Sequence, residues 1–206
     1  MMAGKGLTLD VPGGATRVLL HTCCAPCSGA IIECLLEHGI TPVIFFSNSN
    51  IFPEEEYLKR KAECTRFAQA QGLEIVDDDY DHGDWRGCVA RGLENEPERG
   101  ARCLACFEYR LLRAARYARE HGFSVLTTTL ASSRWKDLAQ VDAAGIRACD
   151  TVSSNGGTPV VWWGRNWRKG GLQERRGQII KEQGFYNQQW CGCEYSLRNT
   201  ETKDND

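Results

Sequence analysis

Short apolar runs alternate with longer amphipathic segments along most of the chain, and this alternation restricts its fold more than any other feature. The runs are typical of buried strands, and the segments between them carry a helical period. The predicted strands are residues 18–21, 42–46, 73–76, 123–130 and 159–163. The first predicted helix is capped by Ser28 and runs to about residue 38. The other predicted helices cover residues 54–71, 103–122 and 172–183. Because strands that alternate with helices pair in parallel, we expect an α/β protein with a mainly parallel sheet flanked by helices.

The 206 residues suit one domain. We expect an N-terminal extension over 1–16, a single α/β domain over 17–198 and a polar tail over 199–206. The extension lacks the pattern of a signal peptide, and no apolar run approaches the length of a membrane span. These features predict a cytoplasmic protein with no membrane partner. The net charge of -2 excludes a global basic field, although a local basic patch can still bind nucleic acid.

Seven of the eleven cysteines fall into three tight clusters. The clusters are CCAPC at residues 23–27, CLAC at 103–106 and CGC at 191–193. Thiolates are soft anionic ligands, so their convergence predicts iron–sulfur or zinc binding. Disulfides and scattered core thiols are the alternatives. Adjacent Cys23 and Cys24 make a disulfide framework awkward, and a chain of this size does not need one. The central domain is therefore predicted to be a metal-binding, catalytic domain.

The clustered thiols outnumber the four that one tetrahedral zinc or one [4Fe–4S] cluster requires. The surplus indicates either a second metal or a cluster with cysteines left over for catalysis. A redox dithiol of the thioredoxin kind would explain Cys103 and Cys106 alone and would leave the other clustered thiols without a role. The isolated cysteines are predicted to be buried core thiols, namely Cys34, Cys64, Cys88 and Cys149.

Polar and ligating residues follow three of the predicted strands. Residues 21–24 follow the first strand, 77–81 the third and 127–133 a later one. Ligands of an open parallel sheet bind beyond the carboxyl ends of its strands. We therefore expect the metal site at that edge of the sheet.

An acidic loop follows the third predicted strand. Its candidates for ligating metal or delivering a proton are Asp79, Asp81 and His82, since a carboxylate can ligate iron or deliver a proton and histidine titrates in the useful range. The alternative is a solvated turn, which we prefer for Asp77 and Asp78.

Aromatic and basic residues interleave in the stretch WWGRNWRKGG over 162–171. Such a mixture holds single-stranded RNA, because rings stack on bases while arginine and lysine contact phosphates. The pattern recurs in SSRWK over 132–136, and more arginines follow in the helix after 171. A glycine-rich loop with partly buried tryptophans is the alternative. The candidate RNA-binding residues are Arg134, Lys136, Trp167, Arg168, Lys169 and Arg175.

Seven stretches of the chain together resemble the epoxyqueuosine reductase QueH family, from about residue 18 to 198. These stretches are HTCCAPCS over 21–28, NSNIFPEEEY over 48–57, DYDH over 79–82, EPERGARCLACFEYR over 96–110, TTTLASSRWK over 127–136, NWRKGG over 166–171 and FYNQQWCGC over 185–193.

The resemblance implies a Rossmann-like fold and the last step of queuosine synthesis, in which epoxyqueuosine in the tRNA anticodon loop is reduced to queuosine. It implies a [4Fe–4S] cluster and a neighbouring second metal ion, expected to be iron, without cobalamin. The implied partners are tRNA with a G-U-N anticodon and an unidentified electron donor.

A division of site residues follows as a hypothesis from the resemblance. The cluster is assigned to Cys24, Cys103, Cys106 and Cys191. The second metal is assigned to Cys23, Cys27, Cys193 and Asp81. The proton donor is expected among Asp79, Asp81 and His82.

Two other functions compete with this one. A zinc-stabilised RNA-binding protein without redox activity would be colourless and would unfold when a ligand is lost. A disulfide or peroxide reductase would need only Cys103 and Cys106. The clustered thiols and the aromatic–basic stretches favour the tRNA reductase over both.

Overall fold

The structure, a computed structural model, describes residues 7–154 and 158–196. Its strands are β1 (Arg17–Thr22), β2 (Thr41–Phe46), β3 (Ile75–Asp77), β4 (Val125–Thr128) and β5 (Val161–Trp162). Within the described residues they form one five-stranded sheet in the order β3-β2-β1-β4-β5, with every neighbouring pair parallel. This arrangement confirms the predicted α/β class.

Helices cover both faces of the sheet. They are α1 (Ala25–Glu37), α2 (Glu54–Ala70), α3 (His82–Trp85), α4 (Ala101–Glu120), α5 (Leu138–Ser153) and α6 (Leu172–Gln183). Alternation along the strands divides the core into two layers, because successive side chains point to opposite faces. Val18 and Leu20 pack with α1, α2 and α6, whereas Leu19 and Leu126 pack with α4 and α5.

Several predicted boundaries differ from the structure, most of all at α1 and at the fourth predicted strand. The N-cap of helix α1 is Cys24 rather than Ser28, four residues earlier than expected. Ser28 therefore lies inside the helix, where its hydroxyl donates to the carbonyl oxygens of Cys24 and Ala25 at 3.1 Å. The strand predicted over 123–130 is shorter, because Thr129–Ser132 forms a 3-10 turn at its carboxyl end.

The sequence patterns did not predict helix α5. Asp137 caps it, accepting from the backbone N–H groups of Ala139 and Gln140. Its buried face uses small residues, and Gly145 lies so close to the Trp162 ring that a β-carbon there would overlap it.

In the extension, Leu7, Leu9 and Val11 pack against the core layer of α1. The polar tail predicted over 199–206 lies outside the described residues. Among the helices that the structure describes, none has both the length and the apolar character needed to cross a membrane.

Candidate active site

The three cysteine clusters meet at the carboxyl edge of the sheet, where they line one cavity of about 640 Å³. The thiols that line it are those of Cys23, Cys24, Cys27, Cys103, Cys106, Cys191 and Cys193. The structure therefore brings all seven clustered cysteines to a single site, although nearly 170 residues of sequence separate the first from the last.

The first cluster spans the junction between β1 and α1. The sulfurs of Cys23 and Cys24 lie 3.8 Å apart, and with Cys27 the three ligand atoms lie within 4.8 Å of one another, a group that could hold a metal ion. The partial positive charge of the α1 N-terminus favours thiolate here. The backbone N–H of Cys23 donates to the Thr129 hydroxyl at 3.1 Å, which ties this cluster to the end of β4.

The second cluster lies on the first turns of α4. Cys103 and Cys106 are three residues apart and so share one face of the helix. The backbone N–H of Arg99 donates to the sulfur of Cys103 at 3.2 Å. Burial nevertheless raises the pKa of Cys103 to about 11 and also raises that of Cys106. A bound cation would supply the stabilisation that these two thiolates lack.

The third cluster depends on the glycine between its cysteines. Gly192 has φ +98°, and a β-carbon on it would approach the Ile51 side chain to 2.8 Å. Arg60 donates to the carbonyl oxygens of Cys191 and Trp190 at 3.3 Å each. The backbone is therefore held in a turn that an L side chain rarely adopts, as expected for a glycine that lets two thiols share a site.

Positive charge dominates the wall of the cavity. Two acidic residues line it, Glu98 and Asp137, against seven basic ones. The basic residues are Arg60, Arg99, Arg102, Arg110, Arg134, Lys136 and Arg176. Such a wall favours thiolates, and it also favours a polyanionic ligand at its mouth.

One thiol in each of two clusters is predisposed to lose its proton. A hydrogen bond from the Cys24 thiol holds the pKa of Cys23 well below its usual range, and one from Cys193 does the same for Cys191. Burial alone would lower the pKa of Lys136, but the charges of Cys191, Cys23 and Cys27 outweigh it and raise that pKa. The ammonium group thus serves as a counter-charge to thiols of both clusters.

Several buried polar atoms of the wall have no partner among the described residues. They are Asn50 Oδ1, Arg102 Nε, Gln140 Oε1 and Trp190 Nε1. Such atoms are rare in native proteins, and here they collect around one cavity. This concentration indicates that a polar or ionic group completes the site.

Comparison with known proteins identifies the family. The model of the family described as "Epoxyqueuosine reductase QueH" matches residues 18–199, a span that contains all three cysteine clusters. The chain belongs to the QueH family. The resemblance seen in the sequence is thereby confirmed, and the chain is an enzyme of the oxidoreductase class.

Relatives named epoxyqueuosine reductase QueH match nearly the whole chain. Those of Histophilus somni and Haemophilus influenzae are 48% and 47% identical over 192 residues, which cover 93% of this chain and 76% of each relative. The QueH protein of Thermotoga maritima is 31% identical over 182 residues, covering 87% of this chain and 90% of its own.

The acidic residues predicted to act in this QueH chain lie outside the cavity lining. The carboxylate of Asp81 accepts from the backbone N–H of Asp84 at 2.8 Å and so caps α3. Asp79 is exposed, and its carbonyl oxygen accepts from the Ser49 hydroxyl at 3.4 Å. Their assignment to proton transfer or to a metal stays a prediction.

His82 lies directly behind the cavity wall. Its ring stacks between Phe52, at a centroid distance of 5.1 Å, and Trp85, at 5.3 Å. Nδ1 lies 2.8 Å from the carbonyl oxygen of Ser49, and Nε2 lies 3.2 Å from the carboxylate of Glu194. Since Trp85 lines the cavity, one ring separates His82 from the site.

Two predicted RNA-binding residues of the 162–171 stretch have contacts within the chain. Trp167 is fully buried with its ring edge-on to Trp163, so the ring is not exposed for stacking on a base. The Arg168 guanidinium donates to the backbone carbonyl oxygens of Ser133 and Lys136. Lys136, itself a predicted RNA-binding residue, lines the cavity.

The other predicted RNA-binding residues differ in their surroundings. Arg134 is exposed and lines the cavity, and Lys169 is exposed but does not line it. The Arg175 guanidinium is engaged by carboxylates, lying 2.7 Å from Glu33 and 2.8 Å from Glu182. Of these three residues, Arg134 alone is both exposed and part of the cavity lining.

Arg110 is a site residue that the sequence reasoning missed. It donates to the carbonyl oxygen of Ser47 at 3.0 Å and to the side-chain oxygen of Asn48, and it lines the cavity. A signal was present, because Arg110 follows Cys106 by four residues and Cys103 by seven. These intervals place all three on one face of a helix.

The isolated cysteines divide into two kinds. Cys34, Cys64 and Cys149 are buried, as predicted. The prediction was wrong for Cys88, which is exposed and lies 3.5 Å from a carboxylate oxygen of Asp84. Cys88 belongs to a π-helical turn, Arg86–Ala90, of which only the last two residues are buried.

Proposed function

We propose that this chain reduces epoxyqueuosine to queuosine in the anticodon loop of tRNA, without cobalamin. The observation that carries the proposal is a single basic cavity lined by seven thiols. Membership of a family of epoxyqueuosine reductases supplies the substrate, and the charge of the wall suits a nucleic acid.

The reaction opens an epoxide to an alkene. It consumes two electrons and two protons and releases the epoxide oxygen as water. The chain must therefore hold a source of electrons, a route for protons and the modified nucleoside within one site. A cavity of about 640 Å³ has the size of a small-molecule site, so a nucleoside turned out of the anticodon loop would fit at its mouth.

The donor set fits a [4Fe–4S] cluster together with a second metal ion, expected to be iron. Four thiolates satisfy the cluster and three remain for the second metal. Among the partnerless atoms of the wall, the N–H donors of Arg102 and Trp190 fit a negatively charged sulfur centre, as does the ammonium of Lys136. When bound, these groups supply electrons one at a time and Lewis-acid polarisation of the C–O bond.

The division of the thiols between the two groups has two candidates. The division predicted from the family gives Cys24, Cys103, Cys106 and Cys191 to the cluster. The closeness of Cys23, Cys24 and Cys27 to one another supports a different division, in which these three hold the second metal. In the second candidate, Cys193 replaces Cys24 as a ligand of the cluster, and Cys24 replaces Cys193 as a ligand of the second metal. The first candidate also gives the carboxylate of Asp81 to the second metal.

The chain's own residues would prepare the site for this chemistry. Arg110 and Lys136 bring positive charge to the thiols, which favours their deprotonated state. Arg99 and Arg134, at the exposed part of the wall, are suited to contact phosphates next to the modified nucleoside. The binding energy would thus come from the RNA backbone, while the cavity selects the base.

The proposed proton donor is one of the polar side chains in the segment that follows β3. Asp79, Asp81 and His82 remain the candidates, and His82 stacks on Trp85 of the wall and lies 3.2 Å from the carboxylate of Glu194, the residue after Cys193. The electron donor is a separate, unidentified partner. The proposed tRNA substrates are those with a G-U-N anticodon.

The test is purification without oxygen, followed by measurement of iron and sulfide and by an assay on tRNA that carries epoxyqueuosine. About four sulfides and four or five irons per chain are expected, together with nucleosides that have lost one oxygen atom after reduction by dithionite. A colourless protein that binds zinc alone, even after iron–sulfur reconstitution, would refute the redox proposal.

Matched cysteine variants sharpen this test. Cys106→Ser removes a buried thiol of the cavity, whereas Cys88→Ser removes an exposed thiol outside it. We expect Cys106→Ser to lose turnover and metal while Cys88→Ser keeps both. Equal losses in the two variants would show that the measured iron is not held by the cavity.

A further inference from the structure

Trp135 differs from every other tryptophan of the chain in its exposure. Its side chain is 65% exposed and lines the cavity, whereas Trp85, Trp163 and Trp167 are buried in the core. A large indole exposed at the mouth of a site is more informative than a scattered surface aromatic, because such rings commonly serve in recognition.

Three side chains hold the loop that carries Trp135 by hydrogen bonds. The carbonyl oxygens of all five residues over 132–136 accept hydrogen bonds from side chains elsewhere in the chain. Gln173 donates to the carbonyl oxygen of Ser132 at 2.9 Å. Arg168 donates to those of Ser133 and Lys136. Arg99 donates to those of Arg134 and Trp135, at 3.4 and 2.9 Å. The backbone that carries the indole is therefore held in place, which reduces the entropy that the loop loses when a ligand binds.

One face of the indole is already occupied. The guanidinium carbon of Arg134 lies 4.8 Å from the centre of the Trp135 ring. The large exposed area leaves room on the opposite face for a second planar group. An arginine beside an exposed ring matches the two parts of a nucleotide, since the ring can stack on the base while the guanidinium contacts a phosphate.

We propose that Trp135 is a binding residue of the tRNA site, stacking on an unpaired base that neighbours the nucleoside in the cavity. This inference rests on the proposed function and adds to it the residue that positions the anticodon loop. It also reassigns two residues of the 162–171 stretch: Arg168 braces the loop of Trp135, and Trp167 belongs to the core.

The experiment measures binding of a fluorescently labelled anticodon stem–loop RNA, with and without epoxyqueuosine, to the metal-loaded protein. Removal of one base–aromatic stack weakens binding about 5- to 150-fold. We expect Trp135→Ala to raise the Kd by such a factor and Trp135→Phe to restore most of the affinity. Iron and sulfide contents should equal those of the unmodified chain, which separates a binding role from a folding defect.

Salt dependence separates stacking from charge. Trp135→Ala should leave the slope of log Kd against log salt unchanged, whereas Arg134→Gln should make it shallower by about one phosphate contact. Ile146→Ala is the control, because Ile146 is another exposed apolar side chain that does not line the cavity. It should bind RNA like the unmodified chain.

The outcomes distinguish this inference from the proposed function. If the unmodified chain binds and reduces the RNA while Trp135→Ala binds equally well, stacking by Trp135 is refuted and the reductase stands. A change of affinity in Trp135→Ala that Trp135→Phe does not restore also refutes stacking. If the unmodified chain neither binds nor reduces the RNA, the tRNA substrate itself is refuted and the inference fails with it.

Discussion

The backbone N–H of Cys23 donates to the hydroxyl oxygen of Thr129 at 3.1 Å, and the same hydroxyl lies 3.4 Å from the Cys23 sulfur. This pair joins the end of β1 to the turn after β4, two neighbouring strands of the sheet. The proposed metal ligand at one strand end is thus positioned by a buried threonine at the next.

Thr129→Val should therefore impair the metal site as well as stability. It keeps the shape of the side chain but leaves the Cys23 N–H without its acceptor, at a cost of about 1–3 kcal/mol in the free energy of unfolding. The matched control is Thr127→Val, which removes a buried hydroxyl that donates to the carbonyl oxygen of Trp163 at 2.9 Å. Denaturant unfolding should show similar losses for both variants, but iron content should fall only in Thr129→Val. An equal fall in iron would contradict a specific role for this contact.

Cys24→Ser and Cys193→Ser should decide how the thiols are divided. Serine is a poor ligand for iron, so the variant that loses a cluster thiolate should lose sulfide as well as iron. If the division predicted from the family holds, Cys24→Ser loses sulfide and Cys193→Ser keeps it while losing about one iron. If Cys23, Cys24 and Cys27 hold the second metal, as their closeness supports, Cys193→Ser loses sulfide, and Cys24→Ser keeps it while losing about one iron. Acid-labile sulfide per chain is the deciding measurement, and loss of sulfide in neither variant would refute both divisions.

Gly192→Ala should disrupt the third cysteine cluster. The added β-carbon meets the Ile51 side chain at 2.8 Å and sits on a backbone with φ +98°, so we expect a loss of about 1–3 kcal/mol in the free energy of unfolding and a reduced metal content. Gly177→Ala is the control, since that glycine lies within α6 and its β-carbon meets no neighbour within 4 Å. That variant should gain about 0.8–1 kcal/mol from helix propensity. Unchanged metal content in Gly192→Ala would show that the turn is not needed.

The sheet could be predicted because it follows from local rules, and the meeting of the cysteines because clustered thiols are typical ligands of one metal site. Apolar runs gave all five strands, and residues beyond parallel strand ends must share an edge, which brings Cys23 to that edge. The pattern could not show whether an aromatic ring is exposed. Trp167 and Trp135 both have basic neighbours, yet tertiary packing buries the first and exposes the second. Helix α5 was missed although its signals were present, namely a capping Asp137 and apolar residues at the helical intervals of Val141, Ala144 and Ala148.

Alkylation of the native protein should distinguish its isolated cysteines. Burial raises the pKa of Cys34 to about 11 and that of Cys149 to about 12, so both stay protonated and shielded at about pH 8. Cys88 is exposed. We expect iodoacetamide to label Cys88 in the folded chain and to label Cys34 and Cys149 only after unfolding. Peptide mass mapping measures this, and Cys88→Ser should remove the native label outside the cavity. Rapid labelling of Cys149 at about pH 8 would show that the core layer of α4 and α5 opens in solution.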